Sequence, residues 1–94
     1  MWARIARFEG DPKTIDERLE RLNAMIESRD FPPELSGARL MLLVDRDSGG
    51  MLGLTLFESK EAMQKGDEAM NRGSGHAGSR SVVEFYEIPI DATI

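Results

Sequence analysis

The chain has 94 residues, 40% hydrophobic and 31% charged, with a formal net charge of −5 and no cysteine. That length makes one domain, residues 1–94, which buries roughly two-thirds of its unfolded surface, so a second copy would add stability. The acidic balance argues against nucleic acid, whose phosphates demand a basic face, and against an anionic membrane surface. The lack of cysteine excludes disulfides, thiolate catalysis and Cys-held metal, and fits a cytoplasmic setting.

The elements read as follows in chain order. Residues 2–8 alternate, with Trp2, Arg4, Ala6 and Phe8 on one face and Ala3, Ile5 and Arg7 on the other, which predicts a strand. The same stretch has no apolar core of a secretory signal, and no run of the chain approaches a membrane span. Asp11 is a good helix N-cap and Pro12 suits the first helical position. Ile15, Leu19, Leu22, Met25 and Ile26 then fall on one helical stripe. Phe31-Pro32-Pro33 ends the helix, because the residue before proline avoids the α region.

Residues 38–45 and 51–58 form two apolar runs joined by Arg46-Asp47-Ser48-Gly49-Gly50, which predicts a β-hairpin. A second helix starts after the cap Ser59, carries Ala62, Met63, Ala69 and Met70 on one side, and ends at Gly73. Gly66 in its middle weakens it by about 1 kcal/mol relative to Ala. Residues 72–81 are glycine-rich and read as a loop, and residues 81–88 as the last strand, closed by Pro89. The order β-α-β-β-α-β is the ferredoxin-like arrangement, an α+β fold with two helices on one face of a four-stranded antiparallel sheet.

The hairpin strands divide by parity. Leu40, Leu42, Val44, Leu52, Leu54 and Leu56 are expected to face the helices. Arg39, Met41, Leu43, Met51, Gly53, Thr55 and Phe57 are expected on the other face. In water that second face would be a larger apolar patch than a monomer usually tolerates. The expectation is a homodimer through the sheet face, since two-fold self-association is the commonest assembly.

The element order, the strand opening at residue 2 and the block L-L-V-D-R-D-S-G … L-G-L-T-L-F-E-S-K-E-A-M resemble the dimeric α/β-barrel superfamily, in particular its antibiotic-biosynthesis-monooxygenase-like (ABM-like) branch. Phe57-Glu58-Ser59-Lys60-Glu61-Ala62 is similar to that branch's junction between third strand and second helix. The resemblance spans nearly the whole chain. It implies two sheets packed face to face into a barrel, with a pocket between helices and sheet in each protomer. Its members include cofactor-free oxygenases, haem-degrading enzymes, isomerases and many small proteins without known activity. Haem-degrading relatives use an Asn on the first strand, a Trp, and a His on the second helix. Here the first strand has no Asn, the single Trp is Trp2, and the single His, His76, falls past the helix.

His76 lies in Gly73-Ser74-Gly75-His76-Ala77-Gly78 and reads as a solvated loop residue, or as a base delivered by loop closure. The same loop spells G-x-G-x-x-G, but it follows a helix and precedes a strand, the reverse of a dinucleotide site. Asp45, Asp47 and Gly49 are explained by a hairpin turn rather than a calcium loop. Trp2, Arg4, Met41, Phe57 and Tyr86 could share one sheet face, depending on register. As a functional set they make an apolar pocket with a cationic head for a planar anionic or phenolic molecule; as a structural set they are packing.

Two functions follow. In the first, the protein is a homodimer that binds a small apolar or aromatic molecule and performs cofactor-independent monooxygenase-type chemistry. His76, Arg4 and Tyr86 would then be the catalytic candidates, Trp2, Met41 and Phe57 would line the ligand site, and no cofactor or metal would be required. In the second, it is a non-catalytic ligand-binding or accessory dimer.

Overall fold

The structure, a computed structural model, describes residues 1–29, 31–72 and 79–94. Its elements are β1 (Trp2–Glu9), α1 (Ile15–Ser28), β2 (Arg39–Val44), β3 (Met51–Phe57), α2 (Lys60–Arg72) and β4 (Ser79–Glu87). The sheet order is β2-β3-β1-β4, with every neighbouring pair antiparallel. It follows that β1 runs parallel to β2, and β3 parallel to β4. The two parallel pairs are crossed in opposite directions along the sheet by strands that point opposite ways. Right-handed crossovers therefore put α1 and α2 on the same face, as the ferredoxin-like arrangement requires.

Local chemistry explains the boundaries. Asp11 caps as expected, but it caps a short 3₁₀ turn, Pro12–Thr14, whose Lys13 N–H donates to its carboxylate at 2.9 Å. The α-helix proper begins three residues later, at Ile15. It also ends before the prolines: Arg29 is left-handed (φ 54°), and its N–H closes onto the Ile26 and Met25 carbonyls. Burial along the α1 stripe fades from Ile15, which is 1% exposed, through half-buried Leu19, Leu22 and Met25, to exposed Ile26. Ser59 caps α2 by accepting from the Ala62 N–H at 3.1 Å. The expected end of that helix at Gly73 lies outside the described residues. The last strand opens at Ser79, two residues earlier than expected, and slips register between Arg7 and Phe8 of β1. No helix among the described residues is long and apolar enough to cross a membrane.

Two glycines owe their place to close approach. A Cβ on Gly66 would lie 2.5 Å from Cε1 of Phe57, so α2 can sit down on β3 only at a residue without a side chain. The propensity lost in the helix is thus the condition for its packing. Gly49 has φ +83°, and a Cβ there would lie 2.0 Å from the Gly10 carbonyl. The β2–β3 loop therefore presses directly on the chain between β1 and α1.

Candidate functional site

Strand pairing decides which side chains share a face. Val44 pairs with Met51, Leu42 with Gly53 and Leu40 with Thr55. Even-numbered β2 residues thus lie beside odd-numbered β3 residues, because the six residues 45–50 separate the innermost pair. This corrects the parity expected for β3. Met51, Thr55 and Phe57 are the buried set beneath the helices, while Leu52, Leu54 and Leu56 lie on the open face. The β2 half of the expectation, with Leu40, Leu42 and Val44 on the helix side, agrees with the pairing.

On the covered side, Trp2 pairs with Phe57 and Arg4 with Thr55. Arg4 is only 4% exposed. Its Nε donates to Oδ1 of Asp67 on α2 at 2.7 Å, and Asn71 holds the second Asp67 oxygen at 3.3 Å. A guanidinium buried under a helix needs such a carboxylate, since an uncompensated charge there is costly. The Lys60 ammonium stands 5.6 Å from the centre of the Trp2 ring, within cation–π range. Asp67 escaped the sequence reading, although it sits four residues after Met63 on the apolar stripe of α2, where a carboxylate must answer something beneath it.

The open face is a grid of three rows across β2-β3-β1-β4. The first holds Arg39, Leu56, Ala3 and Tyr86; the second Met41, Leu54, Ile5 and Glu84; the third Leu43, Leu52, Arg7 and Val82. Aliphatic groups fill the β2–β3 half apart from Arg39 at its corner. The polar groups Arg7, Glu84 and Tyr86 gather at the β4 edge. There the Arg7 Nε donates to one Glu84 oxygen at 2.7 Å, and the Tyr86 hydroxyl donates to the other at 2.5 Å. These bonds, Tyr86's first and Arg7's second, hold the Glu84 carboxyl below its ordinary value. The Glu84 carboxylate in turn raises the Tyr86 phenol above 10.0, so it stays neutral at physiological pH.

Sequence candidates are therefore split by the sheet. Trp2, Arg4 and Phe57 lie together on the covered face; Met41 and Tyr86 lie on the open one. Glu84 pairs with Arg7, and Arg4 pairs with Asp67. His76 and the G-x-G-x-x-G loop lie outside the described residues. Among the described residues, no group of three or more His, Asp or Glu is placed to hold a metal ion.

At the end of the sheet, a cleft of about 390 Å³ opens between the C-terminal end of β1 and the base of the β2–β3 hairpin. Its walls are Phe8, Leu43, Val44, Met51 and Leu52, with Arg7, Glu9 and Asp45 at the polar side. Asp45 is already committed, because its carboxylate accepts from the Asp47 and Ser48 N–H groups, which lower its pKa. Behind the hairpin tip, Arg18 is 5% exposed, and its Nη2 donates to the Gly49 carbonyl at 3.0 Å. Its Nε and Nη1 are buried without a hydrogen-bond partner among the described residues. Arg18 was also missed, although it falls between Ile15 and Leu22 on the α1 stripe.

Fold and site together define an α+β protein of ferredoxin-like architecture with one sheet face covered by helices and one open. No family model matches the chain, and no curated protein matches it.

Proposed function

We propose that this protein is a cytoplasmic homodimer that buries its open sheet face against a second copy, and that it acts as a non-catalytic accessory or ligand-binding unit. The observation that carries this reading is the aliphatic part of the open face, exposed Leu43 with half-buried Met41, Leu52, Leu54, Leu56 and Ile5, which neither helix among the described residues covers. Burial of apolar area is the main driving force for association, and a patch of this kind is what soluble monomers avoid. Membership of the dimeric α/β-barrel superfamily, on its ABM-like branch, is part of the same proposal.

The accessory role is favoured over oxygenase chemistry by the state of the candidate groups. The Arg4 guanidinium is buried and neutralised by Asp67. The Tyr86 phenol is held protonated by Glu84, the opposite of what a phenolate base needs. Phe57 fills the space against Gly66.

A second reading, binding of a small apolar or aromatic molecule with cofactor-independent monooxygenase-type turnover, is favoured by the cleft, whose volume of about 390 Å³ is that of a small-molecule site.

Native mass spectrometry of the freshly purified protein, followed by denaturation, tests both readings. A two-chain mass with nothing bound supports the accessory dimer. A two-chain mass carrying a small adduct that leaves on denaturation supports the ligand reading. A single-chain mass at micromolar concentration overturns the proposal.

A further inference from the structure

We propose that the free edge of β2 is a second interface, which pairs antiparallel with β2 of another copy so that Arg39 of each faces the partner's Asp45. This surface is separate from the open face and does not depend on the dimer proposed above. The order β2-β3-β1-β4 leaves two strands with an unpaired side. Such an edge invites another strand unless charge, proline or irregularity blocks it. β4 is blocked on two counts: it carries Glu84 and Glu87, and its register slips against β1. β2 is not blocked. From Leu40 to Val44 it has no charge, no proline and no slip. Leu40 and Leu43, on opposite faces of that strand, are 40% and 47% exposed.

The edge is self-complementary. The Asp45 N–H donates inward, to the Gly50 carbonyl at 2.9 Å. Inward and outward groups alternate along an antiparallel ladder, so Leu40, Leu42 and Val44 turn their N–H and C=O groups outward. A two-fold axis normal to the sheet at Leu42 sets Leu42 opposite its own copy and Leu40 opposite the partner's Val44. It also sets Met41 opposite the partner's Leu43, and Arg39 opposite the partner's Asp45. Each apolar residue then meets an apolar one, and each outward N–H meets a carbonyl. The one cation meets a carboxylate, the favourable cross-strand pair. Both are exposed, and Arg39 makes no ion pair among the described residues. An axis at Met41 instead sets Arg39 on the partner's Leu43, and one at Leu43 sets Met41 on the partner's Asp45.

Two copies paired in this way form one continuous sheet with the blocked β4 strands outermost. The aliphatic halves of the two open faces join at its centre, where face-to-face packing can still cover them. A contact one strand wide is smaller than a stable interface, so edge pairing sets in at higher concentration than the face dimer. Within a single chain, Arg39 and Asp45 stand about 20 Å apart along the strand. Energetic coupling between them therefore has to cross from one copy to the other.

The experiment is amide hydrogen exchange of the full chain, read residue by residue by NMR from tens of micromolar to the millimolar range. Exchange at Leu40, Leu42 and Val44 is expected to slow about threefold or more as concentration rises. Packing through the open face leaves these three N–H groups in water, so their protection reports the edge alone. Arg39→Ala should raise the concentration of half-protection roughly fivefold, since the symmetric contact occurs twice. Asp45→Asn, which keeps an acceptor for the turn amides, should do the same. The double variant should show little more than either, because both remove one contact. Inward amides at Met41 and Leu43 that stay protected show that each variant is folded. Leu40, Leu42 and Val44 exchanging at the same rate up to millimolar concentration, in a folded chain, overturns the proposal. Effects of the two substitutions that simply add overturn it too.

Discussion

The two faces of this sheet are built from the same four strands, yet they treat their charges differently. The covered face buries a lone guanidinium, Arg4, and answers it with one carboxylate from the helix above. The open face gathers Arg7, Glu84 and Tyr86 into a solvated network at one edge and leaves the other half aliphatic apart from Arg39 at its corner. A lone buried pair serves the fold of one chain. Polar groups collected at an edge leave a clean apolar area for something else to cover. Damage to the first face should appear as lost stability, and damage to the second as lost mass.

The largest effect is expected at Asp67. Asp67→Ala leaves the Arg4 cation buried without its partner and should cost about 3 kcal/mol, a fall of roughly 15 °C in the melting temperature for a domain this size. Adding Arg4→Met should recover most of that loss, because two apolar groups replace a broken pair. Thermal melts of the single and double variants check this, and no recovery would show that the pair is not what holds α2 to β1.

Next comes Leu54→Asp, at the centre of the open face. It should raise the dimer dissociation constant by roughly 30-fold, equivalent to about 2 kcal/mol at an interface hot spot, while the circular dichroism of the folded chain stays unchanged. Gly66→Ala should cost about 1–2 kcal/mol through overpacking against Phe57. That sign is opposite to helix propensity, which favours Ala by about 1 kcal/mol, so a chemical-denaturation midpoint decides between packing and propensity.

A smaller effect concerns pH. Glu84 and Asp45 have carboxyl groups lowered in the fold from 4.5 and 3.8. A lowered carboxyl contributes stability that is present above its ordinary value and is lost as pH falls through the folded value. Stability should therefore hold from neutral pH down to about 4.5 and decline below it, and Glu84→Gln should flatten part of that decline. Tyr86 is raised above 10.0, so its share is present below that value and fades as pH rises through the higher folded one. The smallest effect belongs to the exposed pair Arg46–Asp16 at 3.0 Å. Removing it should change stability by less than about 1 kcal/mol.

Much of the fold was legible because it is written in local signals. The β1 alternation, the Asp11 and Ser59 caps and the two-run hairpin all carry their meaning within a few residues. What was not legible depends on pairs distant in sequence. The face assignment of β3 turned on whether the residues between Val44 and Met51 number odd or even, and a glycine-containing loop can close either way. The role of Gly66 is invisible without knowing that Phe57 lies beneath it. Arg18 and Asp67 did leave a trace, each a charged residue on an apolar helical stripe. That pattern identifies a buried charge before its partner is known. The split of the candidate set by the sheet, with Arg4 beneath it and Tyr86 above, follows from register alone, which composition and spacing do not contain.

The account rests most directly on the open face being an interface between copies. Sedimentation equilibrium of the wild-type chain beside Leu54→Asp, at micromolar to tens of micromolar concentration, puts that claim to the test. The prediction is twice the chain mass for the wild type and, for a still-folded Leu54→Asp, a dimer dissociation constant raised by roughly 30-fold. A wild type that sediments as one chain across that range, or a Leu54→Asp variant whose dissociation constant is unchanged, would contradict it.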